Sequence, residues 1–401
     1  MREPLNHPIR TIMTPGPVEA YPSVLRTMAT PILGQFDPAF LTIMDEVKDM
    51  IRESFQTKNK EAYAVDGTSR SGIEAALIAL IKPGDKVLVP AYGRFAYLLV
   101  EICERAQAEV IVLEKEWDSV FKEEEIIEAV KKHNPKILAM IHGETANGQM
   151  QPLAKIGEYC QSTDVLFVVD VVATYSGVEI KVDDWGIDVA IAGTQKCLSV
   201  PSGLSLITYS SRAEKEITKR YQKELGLGDD CRNSDFISSN YLDLSQLQKY
   251  WNSERVNHHT EGTSMIYALH EGLRLYCNEG FKARADRHKL NDAAIVAGIK
   301  AMGLEIYGDE STKMPTVTPI LIPEGVDGES VRKMLLDDFG VEIASSFGPL
   351  AGKVWRIGNM GFSSRKENVL HVLAALEATL IAHNAHINVG KGVQAALAVY
   401  K

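Results

Sequence analysis

The sequence predicts an α/β fold in which a large domain with a mostly parallel sheet is followed by a smaller C-terminal α+β domain. Two observations predict it. Between about residues 60 and 210, short runs rich in Val and Ile alternate with longer stretches whose apolar residues recur at helical spacing, the pattern of stacked βαβ units. After about residue 275 the order changes to a long helix, a strand and two more helices. At 401 residues the chain exceeds one ordinary core and suits two.

Taken in order, residues 1–20 read as an extended N-terminal arm carrying Pro15-Gly16-Pro17. Residues 21–275 are expected to form the large domain and residues 276–401 the small one. In the large domain, Gly67-Thr68-Ser69-Arg70-Ser71-Gly72 opens a helix-like run from Ile73 to Leu80. Strands are expected at Lys86–Val89, Val110–Leu113, Ile137–Ile141, Val165–Val169, Val189–Ala192 and Leu204–Thr208. Helices are expected at Arg94–Arg105, Glu123–Lys132 and Leu153–Cys160. The polar, glycine-interrupted stretch from Tyr221 to Asp243 reads as a surface excursion or flap. The small domain should hold a helix at Phe281–Met302, a strand at Val317–Ile322, a helix at Gly328–Phe339 and a closing helix at Lys366–His383. No repeat or low-complexity tract interrupts this order.

Composition narrows the function. A net charge of −10 argues against a nucleic-acid surface or a basic membrane patch, and favours small-molecule chemistry. The first eight residues lack a signal peptide's apolar core, and no stretch approaches the roughly 18 apolar residues of a membrane span, so the cytoplasm is expected. Five widely spaced cysteines make neither a disulfide framework nor a zinc pattern. His142, His258 and His259 lack ligand spacing, read as structural histidines, and no metal is expected.

Three pieces point to one cofactor. Asp170 ends an apolar run, Lys196 lies just beyond the next one in Gly193-Thr194-Gln195-Lys196, and both fall where open α/β sheets bind ligands, at the carboxyl ends of strands. A lysine amine that condenses with an aldehyde, beside a carboxylate that keeps a pyridine nitrogen protonated, is what pyridoxal phosphate requires. The small-residue loop at Thr68-Ser69-Arg70 supplies the third piece, a helix N-terminus whose N–H groups and positive dipole end suit a phosphate. Singly, the aspartate can be a helix cap, the lysine a solvated charge and the loop an ordinary helix start. Arg356, between Trp355 and Ile357, reads either as a surface ion pair or as the fork that takes a substrate carboxylate; a half-buried strand favours the second. Gly16 either lets the main chain approach substrate or simply shapes a rigid turn.

With these residues in view, the sequence resembles the class V aminotransferases of fold-type I, the PLP transferases, in the branch of the alanine-glyoxylate and serine-pyruvate aminotransferases. The likeness rests on Pro15-Gly16-Pro17, Thr68-Ser69-Arg70, His142-Gly143-Glu144, Asp170, Gln195-Lys196, His258-His259-Thr260 and Arg356-Ile357-Gly358, and it spans nearly the whole chain. Gly34-Gln35-Phe36-Asp37-Pro38 and Asn257-His258-His259-Thr260 make it most similar to the group that acts on (S)-ureidoglycine and glyoxylate in purine catabolism.

The resemblance implies a homodimer with shared active sites. It makes Lys196 the cofactor-binding lysine and proton shuttle and Asp170 the partner of the pyridine nitrogen. Thr68, Ser69, Arg70, Thr145 and Gln195 become cofactor contacts, with Thr260 reaching the phosphate from the neighbouring subunit. Tyr92 matches the aromatic position that stacks on the cofactor ring, though it also suits a plain core residue. Gly16, Gln35, Asn257 and Arg356 become substrate contacts. Gln35 and Asn257 stand where the alanine-glyoxylate branch has His and Tyr, and two amides complement a ureido group; otherwise they are ordinary interface residues. The other activities in view are an alanine-glyoxylate or serine-glyoxylate/pyruvate aminotransferase, a cysteine desulfurase using Cys231, and a non-enzymatic scaffold on the same fold.

Overall fold

The computed structural model describes residues 2–226 and 233–401. Its centre is a seven-stranded sheet ordered Glu61–Asp66, Leu204–Tyr209, Val189–Gly193, Leu166–Asp170, Ile137–Ile141, Lys86–Ala91 and Glu109–Glu114. All neighbours run parallel except around Leu204–Tyr209, which is antiparallel to both of its partners. The inner strands are buried along their whole length, as a sheet covered by helices on both faces demands, which explains their unbroken apolar runs.

The helix after the small-residue loop begins at Ser69, so the loop residues are its first turn rather than its approach. Its residues Gly72, Ala75, Ala76 and Ala79 are small because the sheet lies directly beneath: a Cβ on Gly72 would sit 2.1 Å from Ser205 Oγ. Burial of its Ile73, Leu77 and Leu80 contributes about 1.5–3 kcal/mol each, and one added methyl at Gly72 would force helix and sheet apart.

The remaining expected strands and helices occur with ends shifted by a residue or two, and the structure adds elements that were not expected, among them the helices Pro22–Met28, Pro38–Ser54, Ser211–Thr218, Leu244–Trp251 and Thr263–Glu279. Glu61–Asp66 is a strand that the apolar pattern did not reveal. The chain does not close on the helix Lys366–Ala382: a further helix, Gly392–Val399, packs against it and against Phe281–Ala301. Its residues Val393, Ala395, Ala396, Leu397 and Ala398 give it an apolar composition that a free tail would not need. The N-terminal arm is not merely extended, because Thr11–Ile12 pairs in parallel with Val341–Glu342. From Tyr221 to Asp243 the described residues form no helix or strand, and Cys231 lies outside the described residues.

Apolar side chains gather in two main cores. One runs from Val24 to Tyr276 around the large sheet. The other joins Met13 to residues between Ala294 and Ala396, around a three-stranded antiparallel sheet of Val317–Leu321, Val354–Gly358 and Ala344–Ser345. The arm thus packs with the last third of the chain.

Candidate active site

A cavity of about 430 Å³ opens at the carboxyl ends of the central strands. Asp170, the last residue of its strand, lines it, and its Oδ1 accepts from the Val172 N–H at 2.8 Å. Burial pushes this carboxyl up to about 6, against the pull of the Val172 N–H and of Lys196. Lys196 follows the neighbouring strand Val189–Gly193 and lines the same cavity. Its amine donates to the Pro15 carbonyl. Burial, and then the charge of Arg356, bring the amine down to about 8, so a substantial share of it is neutral near physiological pH.

Thr68, Ser69 and Arg70 form the opposite wall. Thr68 occupies the N-cap position without using its side chain as a cap, leaving the first-turn N–H groups for a ligand. Ser69 Oγ donates to Gln195 Oε1 at 2.7 Å, stitching this loop to the lysine segment. Gly16 closes the cavity from the arm with φ +96°, and a Cβ there would fall 2.4 Å from Lys196 Nζ. Only a glycine satisfies both conditions.

Arg356, on the strand Val354–Gly358, is 5% exposed. Its guanidinium donates to the carbonyls of Ser345 at 2.9 Å and Thr145 at 2.8 Å, and lies 4.6 Å from the Phe347 ring centroid. Among the described residues no carboxylate lies within ion-pair distance of it, and burial lowers its proton affinity to about 10. A buried cation held by carbonyls and a ring, with the Glu144 charge acting on it from beyond ion-pair distance, suits an anion.

Arg356 stands beside this cavity rather than on its wall, and four other expected residues lie differently. Tyr92 is fully buried and does not line the cavity: its hydroxyl donates to the Ile141 carbonyl at 2.8 Å and its ring packs on Phe121. The carbonyls at the end of the Ile137–Ile141 strand draw the ring beneath the cavity, and the aromatic side chain on its wall is Phe95. Gln35, Asn257 and Thr260 stand outside this cavity. Gln35 Nε2 donates to Asn257 Oδ1 at 3.1 Å, Gln35 Oε1 accepts from the Glu261 N–H at 2.9 Å, and Thr260 is exposed.

Glu144 was recognised only as part of a motif. It is 1% exposed, its carboxylate accepts from the N–H groups of Phe95 at 2.7 Å and Ala146 at 2.9 Å, and burial pushes it up to about 7. It fastens the Phe95 wall to the Thr145 turn. Gly93 is the signal that points to it, since a Cβ there would lie 2.1 Å from Glu144 Cγ.

The donor set fits a phosphorylated pyridine aldehyde: a bare helix N-terminus, a buried carboxylate, a lysine with lowered proton affinity, and a glycine cradle beside it. The chain belongs to the class V aminotransferases, whose family model, Aminotransferase class-V, matches residues 27–365. It is a pyridoxal phosphate-dependent transaminase of fold-type I. Among its relatives is the (S)-ureidoglycine–glyoxylate transaminase of Bacillus subtilis, 59% identical over 100% of this chain and 97% of that one. The crystal structure of the B. subtilis ureidoglycine-glyoxylate aminotransferase superposes with a TM-score of 0.95 at 60% identity, covering 99% of this chain and 100% of that one. The alanine–glyoxylate aminotransferase of Drosophila melanogaster is more distant, at 35% identity over 94% of this chain and 93% of its own.

Proposed function

We propose that this chain moves the amino group of (S)-ureidoglycine to glyoxylate, giving oxalurate and glycine, in purine and allantoin breakdown. The observation that carries the choice of donor is the Gln35–Asn257 pair. A backbone N–H can only donate, so the Glu261 N–H fixes Gln35 Oε1 towards it and turns Gln35 Nε2 to Asn257 Oδ1. Both carbonyl oxygens are then engaged, and the free groups are N–H donors. Such a pair suits the carbonyl oxygen of a ureido group. A methyl side chain would leave the donors unpaired at about 1–3 kcal/mol each where they are buried. The identity to the B. subtilis relative supports the same donor.

We further propose a homodimer working in the cytoplasm, in which Gln35, Asn257 and Thr260 of one protomer complete the cavity of the other. The chain would divide into residues 21–275 and 276–401 behind an arm at 1–20. No helix among the described residues is long and apolar enough to cross a membrane.

Pyridoxal phosphate, when bound, supplies the electron sink that accepts the pair left as the donor's Cα proton departs. The chain's residues do the rest. Thr68, Ser69, Arg70 and Gln195 hold the phosphate, with the partner's Thr260 reaching it across the interface. Asp170 holds a proton at the pyridine nitrogen. Thr145 lines the cavity beside Arg356, which takes the α-carboxylate in a two-pronged grip. The Lys196 amine would take the donor's Cα proton and give a proton back as the amino group moves. Ile73, Phe95 and Leu98 keep water from this exchange.

The test is a donor comparison with glyoxylate in excess and either ureidoglycine generated in situ or L-alanine and L-serine, following oxalurate, pyruvate and hydroxypyruvate. Ureidoglycine should win clearly, and the double substitution Gln35→His with Asn257→Tyr should reduce its use more than that of alanine. Equal losses with both donors would refute the role of the amide pair.

A further inference from the structure

Asp66, His259 and Glu261 converge beside the phosphate loop in a way the transaminase reaction does not use. One ligand atom from each lies within 4.8 Å of the other two. His259 Nε2 stands 3.4 Å from Asp66 Oδ2 and 3.6 Å from Glu261 Oε2. The His259 side chain is only 9% exposed, and its Nε2 is buried with no hydrogen-bond partner.

The proton inventory sharpens the anomaly. The Asn240 carbonyl can only accept, so His258 Nε2, 3.2 Å away, carries a proton. In neutral His258 the other nitrogen, Nδ1, is then an acceptor, and it receives the His259 Nδ1–H across 2.9 Å. That leaves the lone pair of His259 Nε2 facing a pair of carboxyl oxygens, an arrangement that calls for a proton or a cation among the three. Tyr241 donates to Asp66 Oδ2 at 3.2 Å, and the Gly262 N–H donates to Glu261 Oε1 at 3.2 Å.

We infer that Asp66 Oδ2, His259 Nε2 and Glu261 Oε2 form a binding site for a divalent cation of the zinc class. Ligands about 2.0–2.2 Å from a tetrahedral ion stand about 3.4 Å from one another, close to the two separations found here. One nitrogen and two carboxylate oxygens suit such an ion, with water in the fourth position. The relay from Asn240 through His258 orients the ligating ring as an outer-shell partner does, and Tyr241 does the same for Asp66. Entry is from the Asp66 side, which is 20% exposed. The ion would tie the turn before Thr68 to the segment whose Glu261 N–H holds Gln35.

The test uses the holoenzyme, stripped with chelator, dialysed and titrated with Zn²⁺ by calorimetry, with metal content measured afterwards. One equivalent per chain is expected, with binding weakened roughly tenfold or more in His259→Ala and in Glu261→Gln. Equal uptake by the variants and the unsubstituted chain overturns the site, as does no uptake by the unsubstituted chain. Should a variant fail to fold, Co²⁺ added to the unsubstituted holoenzyme decides: the visible absorption of a tetrahedral Co²⁺ ion supports the site, and its absence overturns it.

Discussion

The amine of Lys196 shows how a neighbourhood sets a side chain's chemistry. Brought down to about 8 by burial and by Arg356, it is neutral above that pH and protonated below it. Capture of added pyridoxal phosphate by the apoenzyme should therefore quicken about tenfold per pH unit up to about 8 and then level off, followed by the visible absorbance of lysine-bound cofactor. A rate flat between pH 6 and 8 would mean that the amine is not so perturbed, and Lys196→Ala should lose the absorbance altogether. Arg356→Lys keeps charge but not the planar fork; it should weaken use of both amino donor and glyoxylate by about 10–100-fold in kcat/KM, the equivalent of about 1.4–3 kcal/mol. His142 sits buried against Thr174 and Trp185, and burial lowers its proton affinity to about 3. Its contribution to stability is thus complete above about pH 6.5 and is lost as pH falls towards 3, at about 1.4 kcal/mol per unit. His142→Gln should flatten the pH dependence of unfolding in that window. At this scale the sequence was most legible in bringing together Lys196 and Asp170, which do line one cavity. It was least legible at Tyr92, because which face of a ring meets a cavity depends on carbonyls 49 and 50 positions away.

Among the elements, close approach rather than propensity decides several positions. On the helix Ala154–Gln161, a Cβ at Gly157 would lie 1.7 Å from the Trp185 carbonyl oxygen, a backbone atom that cannot swing aside. Gly157→Ala should cost about 1–3 kcal/mol of stability through overpacking, read as an earlier denaturant midpoint; an unchanged midpoint would show that the helix can shift without penalty. The same principle separates what the pattern revealed from what it hid. Buried parallel strands announce themselves as apolar runs, so Ile137–Ile141 was found to the residue. Glu61–Asp66 escaped because charged residues stand at both its ends and its apolar run is short, although five of its six residues are buried. The pairing of Thr11–Ile12 with Val341–Glu342 was invisible because two residues make no periodicity, and the partner strand is equally short.

For the whole molecule, the placement of Gln35, Asn257 and Thr260 outside the cavity makes a prediction about mixtures. If each site draws Lys196 from one protomer and Asn257 from the other, Lys196→Ala and Asn257→Ala chains are each impaired alone with ureidoglycine. Together they should recover roughly a quarter of normal activity, since half the dimers are hybrids and one site in each is intact. A mixture no better than its components would show that the sites are not shared. The order of synthesis adds a constraint of another kind. The Pro15 carbonyl that receives the Lys196 amine leaves the ribosome among the first residues, yet its anchors, the Glu342 carbonyl that takes the Met13 N–H and the Gly358 N–H that reaches the Met13 carbonyl, are among the last. However early the central sheet assembles, the wall facing its lysine stays unmoored until translation is nearly over, so a nascent chain cut short before Val341 should leave the ribosome with its sheet formed and its active site open on one side.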